Sequence, residues 1–135
     1  MDATNLARKF SLMGSVHCFL SVVLGAFGSH VLKASLEPRL YEVFNTAAYY
    51  QFIHAISLLI LSLMSFFLVD LKKLSWAGNF LHTGILLFSG SLYIMTLTDF
   101  RSLGIITPIG GLCFLSGWLL VGLAAWKGFH NVPKD

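Results

Sequence analysis

Five histidines, at positions 17, 30, 54, 82 and 130, are the residues of this chain best suited to chemistry near neutral pH. None of the nine Lys and Arg or six Asp and Glu falls in the four long apolar stretches, so His17, His30, His54 and His82, at or within those stretches, are the titratable groups there. An imidazole in that setting can pass a proton, ligate a metal or bond two neighbours, and a polar group placed in a membrane span is a functional candidate by default. Near a span end it also serves simply as a capping or hydrogen-bonding group. Cys18 and Cys113 lie in apolar runs without Cys-x-x-Cys spacing and read as small packing residues. No HExxH, GxSxG, GxxxxGK[ST] or GxGxxG pattern occurs, which removes the common zinc-protease, hydrolase and nucleotide-binding signatures. The expectation is therefore a protein without catalytic residues, metal or cofactor.

The elements that must position these groups follow from the charge pattern. Residues are 56% hydrophobic and 11% charged, with mean hydropathy +0.78, far from the ~25% charge of a soluble domain. The uncharged stretches 10–32, 43–69, 74–98 and 102–126 each reach the ~20 residues that cross a bilayer. The chain reads as an all-α, integral membrane, up-down four-helix bundle, one four-span transmembrane domain over 1–135. Arg8 and Lys9 ahead of an apolar run resemble a signal peptide, but the run exceeds the usual ~7–15 residues, so it is expected to stay as helix one. The net charge of +3 comes from residues flanking the spans, which argues against a nucleic-acid partner. Arg8, Lys9, Lys72, Lys73, Lys127 and Lys134 lie on the side of the termini, against Lys33, Arg39 and Arg101 on the other. By the positive-inside rule both termini are expected in the cytoplasm.

Helices are expected at about 10–31, 50–68, 76–97 and 104–126, joined by connections short enough to make sequence neighbours antiparallel and adjacent. Pro38 suits a first helical position and Leu40, Phe44 and Ala47 recur at helical spacing, so a short interfacial helix is expected between spans one and two. On helix one Gly14, Cys18, Ser21, Gly25 and Gly28 or Ser29 mark a small-residue face, as do Gly110, Gly117 and Ala124 on helix four; either face is internal packing or a dimer surface. Depth sorts the histidines: His17 and His82 each lie about 10 Å inside the terminal side at ~1.5 Å per residue, and could face each other. His30 and His54 are expected to meet at the other side. Two such levels also fit stacked bis-histidine haems, though no second histidine occurs on helix three or four.

Four motifs run through the chain in order: Gly25-Ala26-Phe27-Gly28-Ser29-His30-Val31-Leu32, Tyr50-Gln51-Phe52-Ile53-His54-Ala55, Leu87-Phe88-Ser89-Gly90-Ser91-Leu92-Tyr93, and Ile106-Thr107-Pro108-Ile109-Gly110-Gly111 with Gly117-Trp118. In these the sequence resembles domain-of-unknown-function family 423, small bacterial inner-membrane proteins of the YgdD and YwdK type together with eukaryotic transmembrane protein 256. The resemblance covers nearly the whole chain. Ser29 stands where the family often has Ala, and His17 and His82 fall outside its motifs, which weakens the haem reading. The resemblance implies a four-span fold and carries no settled activity.

On the expected topology the motifs converge in the outer half, where His30, Gln51, His54, Ser89, Ser91, Tyr93 and Thr107 form one polar level. Gly28, Gly90, Gly110 and Gly111 around it permit close backbone approach. That level is either a network that holds the bundle or a pocket for a lipid headgroup, quinone or other small amphiphile. The functional expectation is a small non-catalytic protein of the bacterial inner membrane that binds lipid or a partner membrane protein through this level and the segment 37–49. The alternative is a transporter or channel component assembled as a homo-oligomer; a haem or enzymatic membrane protein stands third.

Overall fold

The computed structural model describes residues 2–98 and 100–128, apart from the side chain of Arg101. Four helices, each long and apolar enough to cross a membrane, make up the described chain, and no strand occurs among the described residues. Helix α1, Ala3–Ser35, starts at Asp2, whose carboxylate accepts from the Thr4 amide at 3.1 Å, a side-chain N-cap. It passes through a π-helical turn at Gly28–Leu32 before its last turn at Lys33–Ser35. Helix α2 is Pro38–Met64. Leu36 and Glu37 are extended, the conformation the ring of Pro38 imposes on its predecessor, and Pro38 then opens the helix where its missing N–H is no loss. Helix α3, Leu71–Thr98, is capped by Asp70, bonded to the Lys73 amide at 3.0 Å, and contains a second π-helical turn at Ile85–Ser89. A 3-10 turn, Arg101–Ile105, leads to α4, Thr107–Trp126.

Two expectations change here. The segment after Pro38 is helical, as its periodicity predicts, but it is no separate interfacial helix: it runs without a break into span two. Nothing in 38–50 interrupts the backbone ladder, so once Pro38 nucleates the helix, continuing it leaves fewer unpaired amides than a bend would. Span two correspondingly ends early, at Met64 rather than near 68, in turns through Ser65 to Leu68.

The helices alternate in direction, and α2 and α3 form the centre. In the most apolar 18 residues of α2 and of α3, 44% lie buried, against 22% in α1 and 17% in α4. The outer two helices reach the central pair through small residues, because between lipid-covered helices close van der Waals contact replaces the hydrophobic drive. A methyl group at Gly14 would lie 2.8 Å from Leu59 and 2.9 Å from the Ala55 carbonyl of α2, and one at Gly117 would lie 2.6 Å from Leu81 of α3. Gly110 packs directly on the Phe88 backbone, and Gly28 meets the Phe44 ring. Phe10 of α1 and Phe114 of α4 enter the complementary gaps at Gly78 and Gly84 of α3. Gly25, Gly90 and Gly111, expected to be packing residues, have no close neighbour within this chain: a Cβ at any of them meets nothing within 4 Å. Seven-residue and four-residue spacings identify a face but not where a neighbour stops touching it.

At the end of the bundle bearing Ala3 and Trp126, polar groups tie the turns together. The Ser65 hydroxyl donates to the Ala3 carbonyl at 3.1 Å, the Val69 amide to the Gly128 carbonyl at 3.3 Å, and Asp70 pairs with Lys73 at 2.6 Å and Lys127 at 2.9 Å. Hydrogen bonds from Lys73, then from Lys127, hold the Asp70 carboxyl well below the usual carboxylate range, and Asp70 raises Lys127 in turn.

Candidate functional site

Because α2 begins at Pro38, its motif residues sit deeper than an origin at Tyr50 implies: His54 lies about 24 Å along the helix at ~1.5 Å per residue, and Gln51 falls at its middle. The expected single level near the loop end is therefore two clusters on opposite sides of the α2–α3 pair, both reaching mid-span.

One cluster joins α1, α2 and α3. Nε2 of His17 and Nδ1 of His82 are 3.0 Å apart, so these two rings do face each other. The Gln51 amide donates to the His17 carbonyl at 3.3 Å and accepts from the Tyr93 hydroxyl at 2.7 Å. Tyr93 starts nearer the loop end, but helical side chains lean toward their helix's N-terminus, which carries its hydroxyl down to Gln51. Its ring packs on Phe44, 4.9 Å between centroids. Ser89, 1% exposed, sits beside this chain with its Oγ unpartnered, and His17 Nδ1 is likewise buried without a partner. Closer to the chain ends, Lys9 Nζ donates to the Asn79 side chain at 2.6 Å.

The other cluster joins α2, α3 and α4. Trp118 Nε1 donates to His54 Nε2 at 3.2 Å, and His54 Nδ1 lies 2.8 Å from the Tyr50 carbonyl. An indole nitrogen can only donate and a carbonyl can only accept. His54 is therefore the neutral Nδ1–H tautomer with both nitrogens used, a structural bridge with no lone pair left for a metal. The Phe114 ring stacks on it at 3.6 Å between centroids and 9°. Nearer the loop end the Ser91 and Thr107 hydroxyls bond at 2.8 Å, tying α3 to the first turn of α4, where Pro108 donates no amide bond. A lateral groove of about 670 Å³ opens beside this cluster, lined by Tyr50, His54, Phe88, Pro108, Gly111 and Trp118 among others.

His30 joins neither cluster. It stands exposed on the π-helical turn of α1, and the expected approach to His54 does not occur. The premise of that expectation was a short helix two starting at the loop; with Pro38–Tyr49 inserted in the span, His54 moves three turns away from the end of α1. The haem arrangement fails on the same ground, because its second level would need that pair. Among the described residues no three His, Cys, Asp or Glu side chains gather as a metal site. Sequence reasoning missed Trp118 and Phe114 as His54's partners. The signal for Trp118 was its place in the Gly117-Trp118 motif, an indole donor well inside the apolar run of α4.

The sequence matches the family model described as "Protein of unknown function (DUF423)" over residues 24–111. It is 41% identical over 120 residues to a UPF0382 membrane protein of Staphylococcus haemolyticus, covering 89% of this chain and 97% of that one. It is 36% identical over 120 residues to the UPF0382 membrane protein YwdK of Bacillus subtilis, covering 89% and 98%. A Staphylococcus epidermidis relative is 40% identical with the same coverage as the first. No solved structure matches.

Proposed function

Since the chain belongs to the DUF423 family of membrane proteins, whose members here are bacterial, we propose that it is a non-catalytic lipid-binding protein that holds a lipid acyl chain in the groove between α2 and α4. The observation that carries this reading is the groove itself. Its 670 Å³ open sideways at mid-span, where in a bilayer the neighbouring molecules are acyl chains. Its walls are aromatic and aliphatic; of the three lining side chains with a polar atom, Tyr50, His54 and Trp118, the last two are bonded to each other. A groove so predominantly apolar suits a hydrocarbon chain rather than a reaction. The lipid headgroup then reaches the loop end along Pro108. The basic residues at the terminal side support a plasma-membrane orientation with both termini in the cytoplasm.

Gly111 gives a clean test. It lines the groove and a side chain there meets nothing within 4 Å, so Gly111→Leu fills the groove without disturbing helix contacts. Native mass spectrometry of the protein in mild detergent should show a co-purified phospholipid on the wild type and its loss in Gly111→Leu, with the same thermal midpoint in both. Equal lipid retention in the two, or a wild type without bound lipid, would sink the reading.

A further inference from the structure

A second cavity lies on the opposite side of the α2–α3 pair and is independent of the groove just described. The contacts of α1 with α3 through Phe10, Lys9 and His17 all lie in the half toward the chain ends. Just beyond them a space of about 160 Å³ opens between Leu20 and Leu24 of α1 and Leu86 and Gly90 of α3. That is several times the ~30 Å³ share of one water, so a single bridging water leaves it largely empty.

His17, Gln51 and Ser89, which line it, are 6%, 3% and 1% exposed. Two of them carry the buried side-chain polar atoms that have no partner among the described residues, Nδ1 of His17 and Oγ of Ser89. Buried polar atoms without partners are costly, and those in a native fold call for an explanation. Ser89 is unusual among its neighbours. The hydroxyls of Ser21, Ser57, Ser91 and Thr96 each donate back to a carbonyl three or four residues earlier. Ser89 closes the π-helical turn, in which the Gly90 amide bonds to the Ile85 carbonyl. Its hydroxyl has no such partner.

His17 is set up similarly. In the His17–His82 pair one ring donates to the other; if His17 donates, its Nδ1 is a lone pair, and if His82 donates, its Nδ1 carries the proton. Both forms are uncharged. Among the residues lining the cavity are thus a hydroxyl and an imidazole nitrogen, each able to donate or accept and each almost wholly covered by its neighbours, and no charged residue, so a ligand bonds them only as the side chains over them shift.

We propose that this cavity binds the uncharged carbonyl- or hydroxyl-bearing end of a membrane amphiphile, with Ser89 and His17 as its hydrogen-bond partners. A quinone ring and the ester region of a neutral glycerolipid share that chemistry. The test uses the full chain in phosphatidylcholine nanodiscs, titrated separately with decylubiquinone and with dioleoylglycerol, reading saturable binding and the ¹⁵N shifts of the His17 ring. At least one probe should saturate and move the His17 resonances; which one does so assigns the source. Ser89→Ala should weaken that binding about three- to tenfold, the loss of one hydrogen bond, without lowering thermal stability, since its hydroxyl has no internal partner. Gly90→Leu, whose side chain enters open space in the cavity, should abolish binding, while Gly111→Leu on the other face should leave it intact. Saturation by neither probe overturns the proposal, as does binding indifferent to both Ser89→Ala and Gly90→Leu.

Discussion

At the scale of single residues, the histidines divide by whether their nitrogens are spoken for. His54 spends both, one on the Trp118 indole and one on the Tyr50 carbonyl, and its ring lies flat against Phe114. Trp118→Phe should leave His54 Nε2 buried and unpaired and lower stability by about 1 kcal/mol, the scale of interhelical hydrogen bonds in bilayers and of an orphaned buried acceptor. Adding His54→Phe removes the orphan together with its partner, so the double variant should recover part of the loss. Thermal unfolding in detergent across the double-mutant cycle measures this; equal and additive losses would show that the indole bond is not what holds the ring.

Among the elements, the ends decide more than the middles. Asp70 both caps α3 and gathers Lys73 and Lys127, so one carboxylate joins the turn between α2 and α3 to the end of α4. Its pKa lies below that of an unfolded carboxylate, so the stability it contributes is complete above the unfolded value of about 3.9 and is lost as pH falls below it toward the folded value. Asp70→Asn keeps a capping side chain but not the charge. The difference in thermal midpoint between wild type and Asp70→Asn should be constant from pH 7 to about pH 5 and shrink as pH drops below 4. A difference that stays constant to pH 3 would mean the charge is immaterial. The π-helical turns are the second device at this scale. The first, Gly28–Leu32, falls within a family motif, and the second, Ile85–Ser89, runs into one that begins at Leu87. The first bears the exposed His30, and the second ends at Ser89, whose hydroxyl has no partner.

For the whole molecule, the central pair α2–α3 separates a face with α1 from a face with α4, and each face carries its own opening. Orientation in the membrane rests on charge rather than on packing. With Cys18 and Cys113 replaced by Ser, cysteines introduced as Asn5→Cys and Phe100→Cys report it. An impermeant thiol reagent added to intact cells should label the second and spare the first, and the reverse labelling would invert the topology.

What the amino-acid order determined alone is what depends on local composition: four spans, their antiparallel succession, the small-residue contacts at Gly14, Gly110 and Gly117, and the family motifs. Charge-free length and helical periodicity are properties of a chain segment, and a bilayer converts them directly into spans. The equal depth of His17 and His82 was legible too, since both are counted from the same end. Other features were decided only by tertiary structure. Whether Pro38 starts a separate helix or the span itself changes no local preference, yet it shifts every residue of α2 by three turns against its neighbours. That shift parts His30 from His54 and sets His54 against Trp118. Likewise a glycine reads the same whether a neighbour rests on it, as at Gly110, or leaves it bare, as at Gly25, Gly90 and Gly111. Contact depends on where another helix runs, which π turns and span ends fix together, and that is a property of the assembled bundle rather than of any one segment.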